Sequence, residues 1–157
     1  MSNQLVAYFS ATGITAKVAN RLAEAIEADV FEIGPAKKYT AEDLNWQNDQ
    51  SRSSLEMADP TARPAVAAKQ ENMNTYDTVY VGFPIWWYVA PRIVNTFLES
   101  YDLTGKTIIP FATSGGSGME KVNTSLKNSC LGANMKEGKL FSPDVSAKEL
   151  AEWVCKQ

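Results

Sequence analysis

The strongest constraint on the fold is a short apolar run, residues 5–9, that leads directly into a hydroxyl-rich turn, residues 10–15, and then into a helical pattern. This order is how a parallel sheet forms an anion site, because a helix N-terminus carries unpaired N–H groups and the positive end of a dipole. The turn reads Ser-Ala-Thr-Gly-Ile-Thr. Its hydroxyl groups add donors, and Gly13 tolerates the positive φ of a tight turn. Taken alone, the same loop is also compatible with an ordinary turn before a helix.

Four further strands are indicated. Residues 29–33 mix polar and apolar side chains, which is typical of a strand at a sheet edge. Residues 78–83 and 107–112 are continuous apolar runs, as expected for parallel strands covered on both faces. Pro110 is unusual in such a strand, so either the strand pairs poorly at its end or its position differs by a residue. A weaker pattern predicts a last strand within residues 133–141.

Helices are predicted between these strands. The first runs from about Thr15 to about Glu27, and another begins with Pro91 as its first helical residue. A later helix turns Met119, Val122, Leu126 and Cys130 inward, with Ser117 and Glu120 as its capping box. In the last helix Ser146 and Glu149 form the cap, and the inner face is Ala147, Leu150, Ala151 and Val154.

Residues 36–75 form a long connection without strong periodicity. Thr40 and Asp43 resemble a helix start, and Ser53 with Glu56 fits a capping box, so one or two short helices are expected. A connection of this length is usually functional, as a lid, or else covers a sheet edge, and the sequence does not decide between the two.

The element order is β-α-β, the long connection, then β-α-β-α-β-α. It predicts a single α/β domain over residues 1–157, with a three-layer, doubly wound, five-stranded parallel sheet. Ligands of such sheets bind beyond the carboxyl ends of the strands. The loops that begin at Ser10, Pro84 and Thr113 should therefore lie on one rim.

The second and third loops suggest a flat, polar-edged ligand. Residues 84–91 contain Trp86, Trp87 and Tyr88 in succession, and at least one of them should lie on the surface or over a ligand. The alternative is that Trp86 or Trp87 packs against the long connection. Residues 113–118 are rich in glycine and serine, so they either bring backbone N–H groups close to a ligand or form a flexible turn.

Composition excludes several function classes. The chain has no histidine, which excludes catalytic triads that need one and removes the commonest metal ligand. A net charge of −3 gives no reason to expect nucleic acid, and no apolar run is long enough to cross a membrane.

Cys130 and Cys155 have no motif spacing and are expected to be free thiols. The N-terminus lacks the features of a signal peptide, so we expect a cytoplasmic protein.

Two nucleotide motifs are absent. Gly105-Lys106-Thr107 imitates the end of a P-loop, but Ser100 stands where that motif needs glycine, and a strand follows instead of a helix. The first turn also lacks a dinucleotide fingerprint.

A loop for phosphate, a loop for stacking and a loop for a polar ring edge together suit flavin mononucleotide (FMN) better than a nucleoside triphosphate.

Residues 10–15 match the S/T-x-T-G-x-T/S phosphate loop of the flavodoxin family, and nearly the whole chain resembles a short-chain flavodoxin, in particular a bacterial flavodoxin-like subfamily. The resemblance implies FMN as cofactor and a sheet in the order 2-1-3-4-5. By position it implies that the phosphate is held by Ser10, Thr12, Gly13, Ile14 and Thr15. The flavin ring would be lined by Pro84, Ile85, Trp86 and Trp87, and the ribityl chain and pyrimidine edge would meet Thr113, Ser114, Gly115, Gly116 and Ser117.

Three features differ from the best-known members of this family. Ile14 stands where Asn or Glu is common, the third loop lacks an aromatic residue, and the chain is less acidic than typical electron carriers.

Two roles follow from the resemblance. One is an electron carrier for a redox partner protein, and the other is an NAD(P)H-dependent FMN oxidoreductase for quinones or similar flat acceptors. A non-redox binding module is a third reading. We expect a monomer or a weak homodimer with no catalytic side chain and no metal.

Overall fold

The computed structural model describes residues 3–113, 119 and 121–157. The strands are β1 (Gln4–Tyr8), β2 (Asp29–Glu32), β3 (Thr78–Pro84), β4 (Thr107–Thr113), β5 (Asn134–Met135) and β6 (Lys139–Leu140). The α-helices are α1 (Ile14–Ile26), α2 (Arg52–Ala58), α3 (Arg92–Glu99), α4 (Val122–Lys127) and α5 (Ala147–Cys155), with a 3₁₀ turn at Met73–Thr75. Pro91 is the residue before α3 rather than its first residue.

The strands form one parallel sheet in the order β2-β1-β3-β4-β5, and β6 also pairs in parallel with β4. This confirms the predicted α/β fold and the 2-1-3-4-5 order, with β2 at one edge. The predicted fifth strand is present as two short pieces, β5 and β6, so the sheet has six strands rather than five. Because all strands are parallel, the loops after β1, β3 and β4 leave the same edge of the sheet.

Pro110 explains why the outer strand is divided. Ile108 and Ala112 accept hydrogen bonds from the Lys136 and Phe141 N–H groups, on the side of β5 and β6. Alternate residues of a strand face the same neighbour, so Pro110 faces this side too, where it has no N–H to donate. It lies opposite the gap between β5 and β6. The strand is therefore where the sequence predicts it, and the pairing fails at its middle rather than at its end.

Two apolar cores cover the two faces of the sheet. Along β1, Leu5 and Ala7 belong to the core beneath α3 and α4, whereas Val6 and Tyr8 belong to the core beneath α1 and α5. Burial on both faces is why the strand is apolar without interruption. It also fixes the carboxyl end of β1 between the two helical layers, where the first loop begins.

The last helix packs differently from its prediction. Ser146 Oγ accepts a hydrogen bond from the Glu149 N–H at 3.1 Å, as expected for the cap. Ala147, however, is exposed. The inner face is centred on Leu150 and Trp153, and the Trp153 ring meets three aromatic side chains of the second core, those of Tyr80, Phe111 and Phe141. Trp153 was not predicted as a core residue, and its area makes it the main anchor of α5.

The start of α2 also corrects a prediction. Ser51, not Ser53, is the cap: its Oγ accepts a hydrogen bond from the Ser54 N–H, and its backbone is extended. Ser53 already lies in the first turn of the helix, with its N–H bonded to Asp43 O at 2.9 Å. The pair Thr40 and Asp43 does form the reciprocal bonds of a capping box, but around an isolated turn.

In the described part of the chain, no helix combines the length and the apolar character that a membrane crossing requires.

Candidate functional site

The loop after β1 presents an open helix N-terminus. Gly13 has φ of 94°, and its N–H donates to Ser10 Oγ at 3.0 Å, which folds the loop back on itself. The first backbone bond of the helix runs from the Lys17 N–H to Gly13 O. Among the described residues nothing accepts from the N–H groups that precede it in α1, and no side chain caps the helix. These groups and the helix dipole form a site for an anion.

The three hydroxyl groups of this loop differ in their bonding. Thr12 is exposed and has no hydrogen bond to another described residue, whereas Ser10 Oγ accepts the Gly13 N–H and keeps its own hydrogen for a ligand. Thr15 is buried, and its Oγ1 lies 2.8 Å from Thr113 Oγ1. Because a hydroxyl both donates and accepts, this bond links the phosphate-type loop to the end of β4 and leaves further bonding capacity.

The loop after β3 is a strained aromatic hairpin. Trp86 and Val89 exchange two backbone hydrogen bonds, and the residues between them, Trp87 and Tyr88, have φ of 49° and 71°. Two central residues with positive φ are typical of hairpin turns that usually contain Asn and Gly. For bulky residues this conformation costs about 1–3 kcal/mol each. Both side chains are exposed, 43% for Trp87 and 60% for Tyr88. Strain of this kind is common at ligand-binding sites, where surrounding contacts maintain it.

Trp86 has a different environment from its neighbour. Its ring meets Phe9 and Tyr39 edge to face, with centroids 5.6 Å and 5.5 Å away. Tyr39 belongs to the long connection, so Trp86 packs against that connection, as one of the two alternatives predicts. Trp86 is nevertheless half-buried and retains a surface toward the cavity. Trp87 is the tryptophan that is left open for stacking.

The long connection is fastened to this hairpin by one cluster. The Tyr39 hydroxyl donates to Glu56 Oε1 at 2.5 Å, and Arg52 Nε bonds Glu56 Oε2 at 3.0 Å. The Arg52 guanidinium also lies 3.8 Å from the centre of the Tyr39 ring. Burial, followed by the bond to Glu56, raises the pKa of the Tyr39 hydroxyl far above its ordinary value, so it stays a donor at neutral pH. The cluster holds residues 39–56 over the carboxyl edge of the sheet.

All these elements border one open cavity of about 1000 Å³. Its lining is almost wholly apolar or hydroxylic, and no charged side chain is among the described residues that form it. The lining residues are Ala11, Thr12, Ile14, Thr15, Leu44, Trp46, Ser53, Pro84, Ile85, Trp86, Trp87, Tyr88, Thr113 and Pro143. The loops after β1 and β3 and the carboxyl end of β4 at Thr113 therefore converge, as expected from a parallel sheet, and the long connection forms a further wall, the fourth.

Most of the residues singled out from the sequence lie at this cavity. Those that line it are Thr12, Ile14, Thr15, Pro84, Ile85, Trp86, Trp87 and Thr113, and Ser10 and Gly13 shape the first loop beside it. Ser114, Gly115, Gly116 and Ser117, together with the predicted cap of Ser117 and Glu120, lie outside the described residues.

Several lining residues were not predicted. Tyr88 directly follows two chosen tryptophans, and Trp46 is an exposed aromatic, 69% accessible, in an otherwise polar stretch, so a signal existed for both. Leu44, Ser53 and Pro143 carry no such signal. They reach the cavity only through the path of the connections in which they lie.

Comparison with known proteins identifies the family to which this chain belongs. The sequence model of a family described as Flavodoxin matches residues 3–157. Among curated proteins no match was found. A solved structure from Bacteroides eggerthii DSM 20697, assigned as a flavoprotein, is 50% identical with a TM-score of 0.94, over 99% of this chain and 98% of that one. A second from Bacteroides uniformis ATCC 8492, also assigned as a flavoprotein, is 49% identical with a TM-score of 0.92, over 98% of each chain.

A more distant structure shares the fold. The flavoprotein from Lactobacillus acidophilus NCFM, solved in complex with FMN, is 19% identical with a TM-score of 0.74, over 98% of this chain and 99% of that one. The match of the family model over nearly the whole chain agrees with the strand order and with the loop after β1. The chain belongs to the flavodoxin family.

Proposed function

We propose that this protein binds FMN non-covalently in the cavity and acts as an electron carrier. The observation that carries the proposal is the convergence of an uncapped helix N-terminus and an aromatic hairpin on one cavity. The first recognises a phosphate, and the second recognises a flat ring. FMN combines both groups in one molecule.

The phosphate loop fits a monophosphate. The open N–H groups at the start of α1, the free hydroxyl of Thr12 and the remaining hydrogen of Ser10 Oγ all supply donors. Gly13 permits the bend, and Thr15 anchors the helix through Thr113. Ile14 contributes its backbone N–H, while its 45% exposed side chain provides an apolar border.

The rest of the cavity fits the flavin ring and the ribityl chain of FMN. Pro84, Ile85, Trp86 and Trp87 provide an apolar and aromatic wall beside the phosphate loop. Thr113 begins the loop that we assign, with residues 114–117, to the ribityl chain and the pyrimidine edge. Bound FMN supplies electron-transfer chemistry, and the protein binds it, orients it and sets how much of it meets water. The L. acidophilus relative in complex with FMN supports this choice of ligand.

A second role, an NAD(P)H-dependent oxidoreductase for a quinone or a similar flat acceptor, is favoured by the dimensions of the cavity. Its volume of about 1000 Å³ is at the upper end of the roughly 300–1000 Å³ found for small-molecule sites. Its neutral lining also accepts an uncharged flat molecule. In this role the nicotinamide donates a hydride, and the quinone takes up two electrons and two protons, one of them from solvent. The carrier role instead requires a redox partner protein that approaches the exposed hairpin.

Two measurements test the proposal. The purified protein should be yellow, or should take up FMN when titrated with it, and a chain that takes up none would disprove it. Anaerobic reduction then separates the two roles. Uptake of electrons in two resolved one-electron steps, with no response to NADH or NADPH, supports the carrier. Rapid bleaching by NADH or NADPH, with colour restored by a quinone, supports the oxidoreductase.

A further inference from the structure

Ser53 carries a buried hydroxyl group that has no partner in the described chain. Only 2% of the residue is exposed, and its Oγ has no hydrogen bond to any residue that the structure describes. A hydroxyl buried in this way loses its bonds to water without replacement, which is unfavourable and rare in native proteins. It therefore indicates a partner beyond the residues that the structure describes, such as a bound ligand.

The unpaired hydroxyl is not the result of a frayed helix end. Beside it, Ser51 Oγ donates to Ser54 Oγ at 2.9 Å and accepts from the Ser54 N–H at 3.3 Å. The Ser53 N–H donates to Asp43 O at 2.9 Å. The neighbouring polar groups are thus paired, and the side chain of Ser53 is the exception in a well-bonded turn.

Ser53 borders the proposed FMN cavity. It belongs to the same wall as Leu44 and Trp46, and the cavity extends from this wall to the loop after β1 and to the aromatic hairpin. Serine has a single side-chain torsion, so its hydroxyl turns toward a ligand without movement of the helix. A ligand in the cavity is therefore within reach of this hydroxyl.

Arg52 keeps this wall in place. Its Nη1 donates to Lys37 O at 2.7 Å, its Nε bonds Glu56, and its guanidinium covers the Tyr39 ring. These contacts join the start of the connection to α2 and fix the turn that contains Ser53. The backbone of Ser53 is therefore held at the cavity before any ligand binds, which reduces the entropy lost on binding.

We infer that Ser53 is a ligand-binding residue whose hydroxyl forms a hydrogen bond with the bound FMN. This inference rests on the proposed function, and it assigns the long connection a role as a wall of the binding site rather than as a cover of the sheet edge. Neither the phosphate loop nor the two other rim loops include this residue. The connection between β2 and β3 then contributes to flavin affinity directly.

The test compares Ser53→Ala with the wild type by dilution of the FMN-loaded protein, following the return of free-flavin fluorescence. We expect the dissociation constant to rise about 3- to 10-fold, as for the loss of one neutral hydrogen bond. The far-UV circular dichroism of the variant should be unchanged. An unchanged dissociation constant would overturn the inference.

Ser54→Ala is the matched control, because it removes a hydroxyl from the adjacent position, where the Oγ is bonded to Ser51 and does not line the cavity. Its dissociation constant should equal that of the wild type. Equal weakening in both variants would show a general effect on α2 and would also refute a role for Ser53. A wild-type protein that binds no FMN would instead reject the proposed function, so the two failures are distinguishable.

Discussion

The hydroxyl oxygens of Thr15 and Thr113 lie 2.8 Å apart in the buried interior, although the residues are 98 positions apart in the chain. One is in the first turn of α1 and the other is the last residue of β4. The bond therefore fixes the loop after β1, to which we assign the phosphate, relative to the carboxyl end of β4. The distance between these two parts of the cavity rim depends on it.

Thr15→Val should reduce stability by about 1–3 kcal/mol, because it leaves the Thr113 hydroxyl buried without a partner. Denaturant unfolding measures the loss. The double variant Thr15→Val, Thr113→Val removes both polar groups and should recover most of the stability, while FMN affinity stays reduced. A double variant less stable than the single one would show that the two hydroxyls are independent.

Thr12→Val should weaken FMN binding by about 1.5–3 kcal/mol, the contribution of a hydrogen bond to a charged group. Stability should not change, because Thr12 is exposed and has no bond to another described residue. Titration with FMN measures the affinity. Thr12→Ser retains the hydroxyl and serves as control, and equal affinity of wild type and Thr12→Val would contradict the phosphate assignment.

Gly13→Ala should destabilise the protein by about 1–2 kcal/mol through backbone strain alone. The φ of 94° is unfavourable for a side chain, whereas a Cβ at this position would meet no atom within 4 Å. Gly34→Ala is the control, because its Cβ would also be unobstructed and its φ is not in the left-handed region. Denaturant unfolding of both variants should show a loss for Gly13→Ala only.

Replacing the central hairpin residues by Trp87→Asn with Tyr88→Gly should raise stability and lower FMN affinity. Asn-Gly is the preferred pair where both central residues have positive φ, so the strain at Trp87 and at Tyr88 is relieved, by about 1–3 kcal/mol at each residue. The aromatic stacking surface is lost at the same time. Thermal unfolding and FMN titration measure the two effects, and a variant that keeps its flavin affinity would show that the hairpin rings do not contact the ligand.

The protein should lose stability between about pH 10 and pH 12. Burial and the hydrogen bond that the Tyr76 hydroxyl donates to Asp29 Oδ2, 2.6 Å away, raise the pKa of Tyr76 to about 12 from its ordinary 10.0. A raised pKa means that its stabilising contribution is complete below pH 10 and is lost as the pH rises toward 12. Unfolding by denaturant across this range measures the decline.

Tyr76→Phe separates this group from the other buried tyrosines. The variant should be less stable at neutral pH by about 1.5–3 kcal/mol, because it loses a bond to a carboxylate. Its stability should also fall less steeply above pH 10. A pH profile with the same slope as the wild type would mean that Tyr76 does not titrate in this range.

Much of the sheet was predictable because its signals are local. The uninterrupted apolar runs of β1, β3 and β4 follow from burial on both faces, and the mixture of polar and apolar residues in β2 follows from its place at the edge. The loop after β1 was recognisable from its residue types. Gly13 indicates a turn with positive φ, and the neighbouring hydroxylic side chains indicate hydrogen bonds to a ligand. The divided outer strand was not predictable, because the effect of Pro110 falls on residues that pair with it from elsewhere in the chain.

The sequence by itself determined the fold class and the edge of the sheet at which the three loops begin, and its resemblance to the flavodoxin family implied the order of the strands. Periodicity and turn chemistry act over a few residues, and parallel connection then leaves little choice of topology. Only the tertiary structure decided that the long connection forms a fourth wall of the cavity. Ser53, Trp46 and the link from Thr15 to Thr113 depend on where a long connection returns to the sheet and on which distant hydroxyls meet. Such contacts are set by the packing of the whole chain, and no periodic pattern in the sequence predicts them.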